Sequence, residues 1–262
     1  MSGTTRRLAE LRAPQVAERL GSGAVLVQPV GAVEQHGPHL PLGTDLFVAE
    51  AVAEAVVAER GDELDLWLLP ALAYTKSNEH AWAAGSVWLS PATLLAVLDD
   101  LGRSVAMMPA RRLAFLNGHG GNSALLSVAC RELRLHHGLS TFLLHPGVPP
   151  DQGGASTTEE LGMGIHGGLD ESSLLLHLRP DLVDMTRAER HVPEWLAPNR
   201  HVRFGGSAPF GWLSDDFGPS GVIGDPTGAD AARGARLFAA AVAAVGDTLA
   251  EVARFSYPDS PR

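Results

Sequence analysis

Short apolar runs alternate along the chain with longer segments in which apolar residues recur at helical spacing. The apolar runs predict four buried strands, at 24–33, 64–69, 113–116 and 140–144. The periodic segments predict helices at 45–60, 91–106, 123–137, 170–178 and 229–255. This alternation is typical of a three-layer α/β fold, in which a mostly parallel central sheet is flanked by helices on both faces.

Three features modify this pattern. Pro29 has no N–H to donate to a neighbouring strand, so it indicates an edge strand or a bulge. Residues 146–164 are rich in Gly and Thr, and residues 192–228 form a long aperiodic segment with Pro, Gly and Trp. Loops of that length are commonly functional or part of an interface. We find no repeat or linker and therefore expect one domain over residues 1–262.

Composition and charge limit the kinds of molecule and metal site that this chain can be expected to bind. The chain has 262 residues, of which 45% are hydrophobic, and a formal net charge of −10, which makes nucleic acid and anionic membranes poor partners. Cys130 is the only cysteine, which excludes an intrachain disulfide and a cysteine-based zinc site. The N-terminal residues lack an apolar leader, and no run approaches the roughly 18 apolar residues of a membrane span. We therefore expect a soluble, cytoplasmic protein.

Carboxylate and imidazole side chains follow two of the predicted strands. Glu34 and His36 come after the first strand, Asp45 begins the next helix, and His119 lies in a Gly-rich turn after the third strand. In an extended chain Glu34 and His36 project to the same side, and ligands of parallel sheets lie beyond the carboxyl ends of the strands. These donors suit divalent cations, and the two oxygens of Asp45 can bridge two of them.

Each of these residues also has an ordinary structural explanation. Asp45 can be a helix cap, and a Glu-x-His pair occurs by chance in many proteins. The glycines around His119 can form a plain strand-to-helix turn or a phosphate cradle, although the P-loop lysine is missing. Two other classes therefore stay open: a non-catalytic, metal-stabilised oligomer subunit and a nucleotide-binding module.

Three segments carry a resemblance to a known family. Residues 31–45 read GAVEQHGPHLPLGTD, residues 117–122 read NGHGGN, and residues 221–226 read GVIGDP. Together they resemble the creatininase (creatinine amidohydrolase) family over most of the chain. The resemblance implies two divalent cations per subunit, of zinc, manganese or iron, and a homo-oligomer, commonly a hexamer. The implied metal ligands are Glu34, His36, Asp45 as the bridge, and His119.

The chain departs from creatininase itself after His119. There an aromatic residue and a Glu follow the histidine, whereas here Gly120 and Gly121 follow it. Relatives with the Gly-Gly form carry His-Ala-Gly followed by Glu-Thr-Ser, which residues 166–173 resemble. The last ligand is then expected to be Glu171.

Asp170 is the competitor of Glu171 for this role. Both carboxylates can also simply favour a helix N-terminus. The resemblance gives His166 the role of general acid, so His166 and Glu171 are the expected catalytic residues. His39 is expected to orient a neighbouring group, and His80 either lines the pocket or has a structural role.

The chemistry of such a centre suggests amide hydrolysis. Two cations that share Asp45 would lower the pKa of a bridging water, and the hydroxide would attack an amide carbonyl while His166 protonates the leaving nitrogen. We expect a small-molecule amide or short peptide substrate with a non-standard or cyclic C–N bond, and not creatinine. Gly-Gly relatives include the peptidase that trims the mycofactocin precursor peptide, which is our leading subtype, and a deformylase of a formamidopyrimidine nucleotide.

Overall fold

A parallel sheet forms the centre of the molecule in the computed structural model, which describes residues 5–147 and 157–258. Its strand order is β2-β1-β3-β4, and every neighbouring pair is parallel. The strands are β1 Val25–Val30, β2 Leu66–Leu68, β3 Arg112–Asn117 and β4 Ser140–Leu144. The predicted parallel sheet is thus confirmed, while part of the Gly- and Thr-rich stretch at 146–164 lies outside the described residues.

Within the described ranges, six α-helices surround the sheet: α1 Ala13–Arg19, α2 Thr44–Leu64, α3 Pro91–Ala106, α4 Ser123–His137, α5 Leu169–Leu178 and α6 Ala231–Arg254. The expected end of α2 near Arg60 is wrong, because Gly61 stays helical and Asp65 ends the helix in the left-handed conformation (φ 51°). No helix in the described ranges is long and apolar enough to cross a membrane.

Side chains on the two faces of the sheet form two separate cores. On one face, Leu94 of α3 and Leu126 of α4 pack with Leu26 and Phe115 of the strands. On the other face, α2 and α6 pack with the alternate strand residues, among them Val25. Because successive strand side chains point to opposite faces, this division gives the predicted three layers.

The expectation that Pro29 marks an edge strand or a bulge is wrong, since β1 lies between β2 and β3 and pairs with β3 without a break. Pro29 is tolerated because β2 ends at Leu68, so no strand residue requires its missing N–H. The Gln28 side-chain amide instead donates to the carbonyl of Pro70, at 2.7 Å.

The carboxyl ends of β1 and β3 lie side by side, at the point where the chain reverses its direction across the sheet. Such switch points are the usual ligand sites of open α/β sheets. The predicted first strand at 24–33 is too long, because β1 ends at Val30 and Glu34 and His36 lie in the loop beyond it. In this loop Gly31 approaches the backbone of Leu46 too closely for a Cβ, so only glycine fits here without a shift of the backbone.

Candidate metal centre

Five acidic and imidazole side chains from four segments meet beyond the sheet. Glu34 and His36 come from the loop after β1, and His119 follows β3. Asp45 and Glu171 lie in the first turns of α2 and α5. The first four are buried and Glu171 is partly buried, so the structure brings together every ligand expected from the sequence.

Asp45 lies between the two histidines. Its Oδ1 is 3.1 Å from Nε2 of His36, and its Oδ2 is 3.1 Å from Nδ1 of His119. Burial opposes the charge of this carboxylate, but the neighbouring imidazoles, His36 first, hold the pKa of Asp45 below its usual range. One carboxylate therefore faces both halves of the cluster, which is the geometry expected of a bridging ligand.

Three histidines share one hydrogen-bonding pattern. The carbonyl oxygens can only accept, so His36 donates from Nδ1 to the carbonyl of Glu34 (3.2 Å). His119 likewise donates from Nε2 to the carbonyl of Lys76 (2.9 Å), and His166 from Nε2 to the carbonyl of Gln35 (2.7 Å). The other ring nitrogen of each histidine then faces the carboxylates. Metal-ligating histidines are commonly oriented in this way.

The donor set fits divalent cations. Both carboxylate oxygens of Glu34 are buried without a hydrogen-bond partner, although such partners normally satisfy buried oxygens. Potential ligand atoms lie within 4.8 Å of one another in three sets: Glu34, Asp45 and His119; His36, Asp45 and Glu171; and Glu34, His36 and His166. The first two sets share Asp45, and all three consist only of N and O donors, which suits zinc, manganese or iron.

Burial also shifts the pKa of the remaining groups. It raises the pKa of Glu34 to about 8 and that of Glu171 to about 7. Burial alone would lower the pKa of His36, but the adjacent Asp45 carboxylate raises it to about 10. These groups hold protons near neutral pH, so cations that bind here must displace protons.

His166 is held by the late segment that the sequence singled out. His166 and Ile223 form an antiparallel bridge, with the N–H of Ile223 donating to the carbonyl of His166 at 2.8 Å. Nδ1 of His166 is 3.7 Å from Oε1 of Glu34, so this nitrogen faces the cluster. Burial, assisted by the nearby His36, keeps the pKa of His166 well below its usual range, and the imidazole is neutral.

The structure distinguishes Glu171 from Asp170, the other candidate for the last metal ligand. Asp170 forms an ion pair with Arg233 (2.6 Å), whereas Oε2 of Glu171 lies 3.9 Å from Nε2 of His36. Oε2 of Glu171 also accepts a hydrogen bond from the N–H of Gly167 at 2.6 Å. Glu171 is therefore the carboxylate that reaches the cluster, and its role as the last ligand stays a prediction.

The other histidines near the cluster have different partners. Nδ1 of His80 accepts from the side-chain amide of Gln35 (2.8 Å), so its proton is on Nε2, which lies 3.3 Å from Oε1 of Glu34 without a hydrogen bond between them. His80 thus presents a donor, not a lone pair. His39 lies against the hydroxyl of Ser172, with 2.9 Å between Nε2 and Oγ, and belongs to none of the ligand sets.

Sequence reasoning missed two acidic residues near the site. Glu79 is buried, with Oε1 3.6 Å from Nε2 of His119 and Oε2 2.5 Å from Nζ of Lys76. Glu160 is buried and accepts from the N–H groups of Leu169 and Asp225, at 3.0 and 2.8 Å. Glu79 directly precedes His80, which the sequence analysis had named as a pocket or structural residue.

Glu160 had no such signal. Its carboxylate joins the start of α5 to the segment at 221–226, and its neighbours are set by the fold.

Comparison with known proteins agrees with this geometry. The family model for creatinine amidohydrolase matches residues 9–249. The mycofactocin precursor peptide peptidase of Mycobacterium tuberculosis is 38% identical over 244 residues, which cover 88% of this chain and 85% of that protein. The creatinine amidohydrolase of Pseudomonas putida is 35% identical over 209 residues, which cover 73% and 78%. A solved mutant creatininase of Zn-Zn type is 26% identical, with a TM-score of 0.72 over 95% of this chain and 98% of that one.

The parallel sheet, its flanking helices and the cluster at its carboxyl edge define an amidohydrolase of the α/β class. The chain belongs to the creatininase family.

Proposed function

We propose that this creatininase-family amidohydrolase is metal-dependent and holds two divalent cations. The observation that carries the proposal is the shared orientation of His36, His119 and His166, each of which donates to a backbone carbonyl and turns its other nitrogen toward buried carboxylates. One cation would take Glu34, Asp45 and His119, and the other His36, Asp45 and Glu171. The Zn-Zn form of a solved creatininase supports the pair.

When bound, the cations would supply Lewis acidity that polarises an amide carbonyl and lowers the pKa of a water molecule at the site. Residues of the chain accept and return the proton that moves during the reaction. The unprotonated Nδ1 of His166 faces the cluster and accepts a proton from the attacking water. As the C–N bond breaks, His166 returns this proton to the departing nitrogen, because an amide nitrogen leaves readily only when it is protonated. The products are a carboxylic acid and an amine.

The substrate class follows from the relatives and from the Gly-Gly sequence. We infer a small-molecule amide or a short peptide, and trimming of a ribosomal precursor peptide is the leading candidate because the mycofactocin peptidase is 38% identical. Gly120 and Gly121 replace the aromatic residue and the carboxylate found in creatininase itself, which argues against creatinine.

We also propose a cytoplasmic homo-oligomer. Four large apolar side chains within one short segment are 42–58% exposed: Tyr74, Trp82, Val87 and Trp88. An exposed apolar surface of this kind is typical of a subunit interface. Light scattering on the purified protein tests the oligomeric state. We expect a hexamer by family analogy, and a monomer would contradict the proposal.

The hydrolase proposal is tested with a substrate panel. Metal-analysed protein is incubated with cyclic amides, formamides, C-terminal dipeptide amides and precursor peptides, and the products are identified by mass spectrometry. We expect hydrolysis of at least one class, its loss after chelation, and its recovery on adding zinc, manganese or iron. Turnover that survives complete metal removal would overturn the proposal, as would a loaded protein that cleaves none of these amides.

A further inference from the structure

A second cavity adjoins the metal centre. Its volume is about 380 Å³, whereas the space enclosed by the metal cluster is about 30 Å³. Asp45, His166 and Glu171 line both, so the two spaces share a wall. The smaller one has room for only a few water-sized atoms. The parts of a substrate beyond its reacting amide therefore lie outside the cluster.

The outer wall of the larger cavity is apolar. Helix α6 contributes Leu237, Ala240, Ala241 and Ala244, which recur at the spacing of one helix face. Leu174 of α5 and Val48 of α2 line it as well. Because alanine side chains are short, this face of α6 leaves space that larger residues would fill.

The part of this cavity's lining that the structure describes contains no lysine or arginine side chain. Asp170 is paired with Arg233 at 2.6 Å, and His145, whose Nε2 is 3.2 Å from the hydroxyl of Ser123, has its pKa lowered to about 4 by burial. An anionic substrate group away from the wall of Asp45 and Glu171 would lose its hydration without a compensating cationic side chain, and the rest of the lining is mostly apolar.

We propose that this cavity is the subsite for an uncharged apolar side chain, aliphatic or aromatic, that is attached next to the scissile amide. The inference rests on the proposed function and specifies its substrate class: amides with a bulky apolar group. The shared wall of Asp45, His166 and Glu171 places such a group beside the reacting bond. Because Ala240 and Ala244 are exposed, the cavity is open on one side, and burial of part of a large apolar side chain corresponds to about a tenfold preference over glycine.

Binding and cleavage are measured with two probes, N-acetylphenylalaninamide and N-acetylglycinamide, on the metal-loaded protein. Equilibrium dialysis reports affinity whether or not cleavage occurs. We expect the phenylalanine compound to bind about tenfold more tightly, and the Ala240→Trp variant to lose this difference. Ala239→Trp is the matched control, because Ala239 is an exposed neighbour on α6 that does not line the cavity.

Ala244→Trp, which fills the same cavity one helical turn later, serves if Ala240→Trp fails to fold. Equal affinity of the wild-type protein for the two probes would overturn the subsite, and so would an unchanged preference in both cavity-filling variants. A preference in binding that persists without any amide cleavage would instead reject the proposed function and keep the subsite.

Discussion

The carboxylate of Glu79 occupies the space beside Gly121. A Cβ at position 121 would lie directly against Oε1 of Glu79 and Nε2 of His119. A side chain at 121 would therefore require the carboxylate of Glu79 or the imidazole of His119 to move. In this chain, Gly121 leaves room for the acidic residue on the neighbouring 3-10 turn, Asn78–His80.

Replacing Gly121 with alanine is expected to weaken metal binding. The new methyl group would displace either Glu79 or the imidazole of His119, and residues that orient a metal ligand typically contribute about 10- to 100-fold to affinity. Competition with a calibrated chelator measures the change. Gly211→Ala is the control, because nothing lies within 4 Å of a Cβ there. Equal affinity in Gly121→Ala and the wild type would show that Glu79 and His119 tolerate the methyl group.

Replacing His166 with alanine is expected to lower kcat while cations stay bound. A positioned acid–base group contributes about 10²- to 10⁴-fold to a rate, and the two ligand sets that share Asp45 do not contain His166. Steady-state kinetics and metal analysis on the same sample separate the two effects. The exposed His136→Ala variant should match the wild type in both. Loss of metal from His166→Ala would make this residue a ligand, and full turnover would remove it from the reaction.

Glu160 is expected to stabilise the start of α5. Replacement by alanine would leave the partly buried N–H groups of Leu169 and Asp225 without this acceptor, and we expect the free energy of unfolding to fall by about 1 to 3 kcal/mol. Urea unfolding measures this. Glu160→Gln keeps an acceptor oxygen and should lose less, and Glu159→Ala, at an exposed neighbour, should change little. Equal stability of the alanine variants at 159 and 160 would contradict the account.

The metal-free protein is expected to lose stability as the pH rises from about 7 to about 9. The folded state holds protons on Glu34 (pKa about 8) and His36 (pKa about 10) in this range. The unfolded chain, with ordinary pKa values of 4.5 and 6.5, has already released most of them. Stability falls with pH wherever the folded state binds more protons. Thermal unfolding in chelator measures the trend.

Two controls belong to this experiment. Glu34→Gln removes one of the raised pKa values, so the melting temperature of this variant should depend less on pH. Bound cations would displace the same protons, so the loaded protein should also show a weaker dependence. A melting temperature of the metal-free protein that rises between pH 7 and 9 would contradict the assignment of these protons.

Much of the fold was predictable because its signals are local. The helices at 91–106 and 123–137 and the strand at 140–144 have the predicted bounds, since proline, glycine and apolar spacing mark their ends. The edge position expected from Pro29 is wrong for a non-local reason. Whether a missing N–H matters depends on where the neighbouring strand ends, and the sequence of β1 does not contain that information.

The site, like the fold, combines features that the local sequence predicts with features that only the tertiary structure determines. Glu34, His36, Asp45 and His119 lie in motifs that follow strands, so their meeting point was predictable from strand order and from family resemblance. Glu160 was missed because its partners, Leu169 and Asp225, are brought together only by the tertiary fold. A single acidic residue has no sequence feature that distinguishes such a buried contact from an exposed one.

Metal stoichiometry of the wild-type protein and two variants tests the central claim most directly. Asp45 faces His36 through Oδ1 and His119 through Oδ2, so Asp45→Asn should weaken both sites, whereas Glu171→Gln should weaken only the one that contains His36. Inductively coupled plasma mass spectrometry should find roughly two divalent cations per wild-type chain, about one in Glu171→Gln and almost none in Asp45→Asn. A wild-type protein without bound divalent metal, even after incubation with zinc, manganese or iron, would contradict the account.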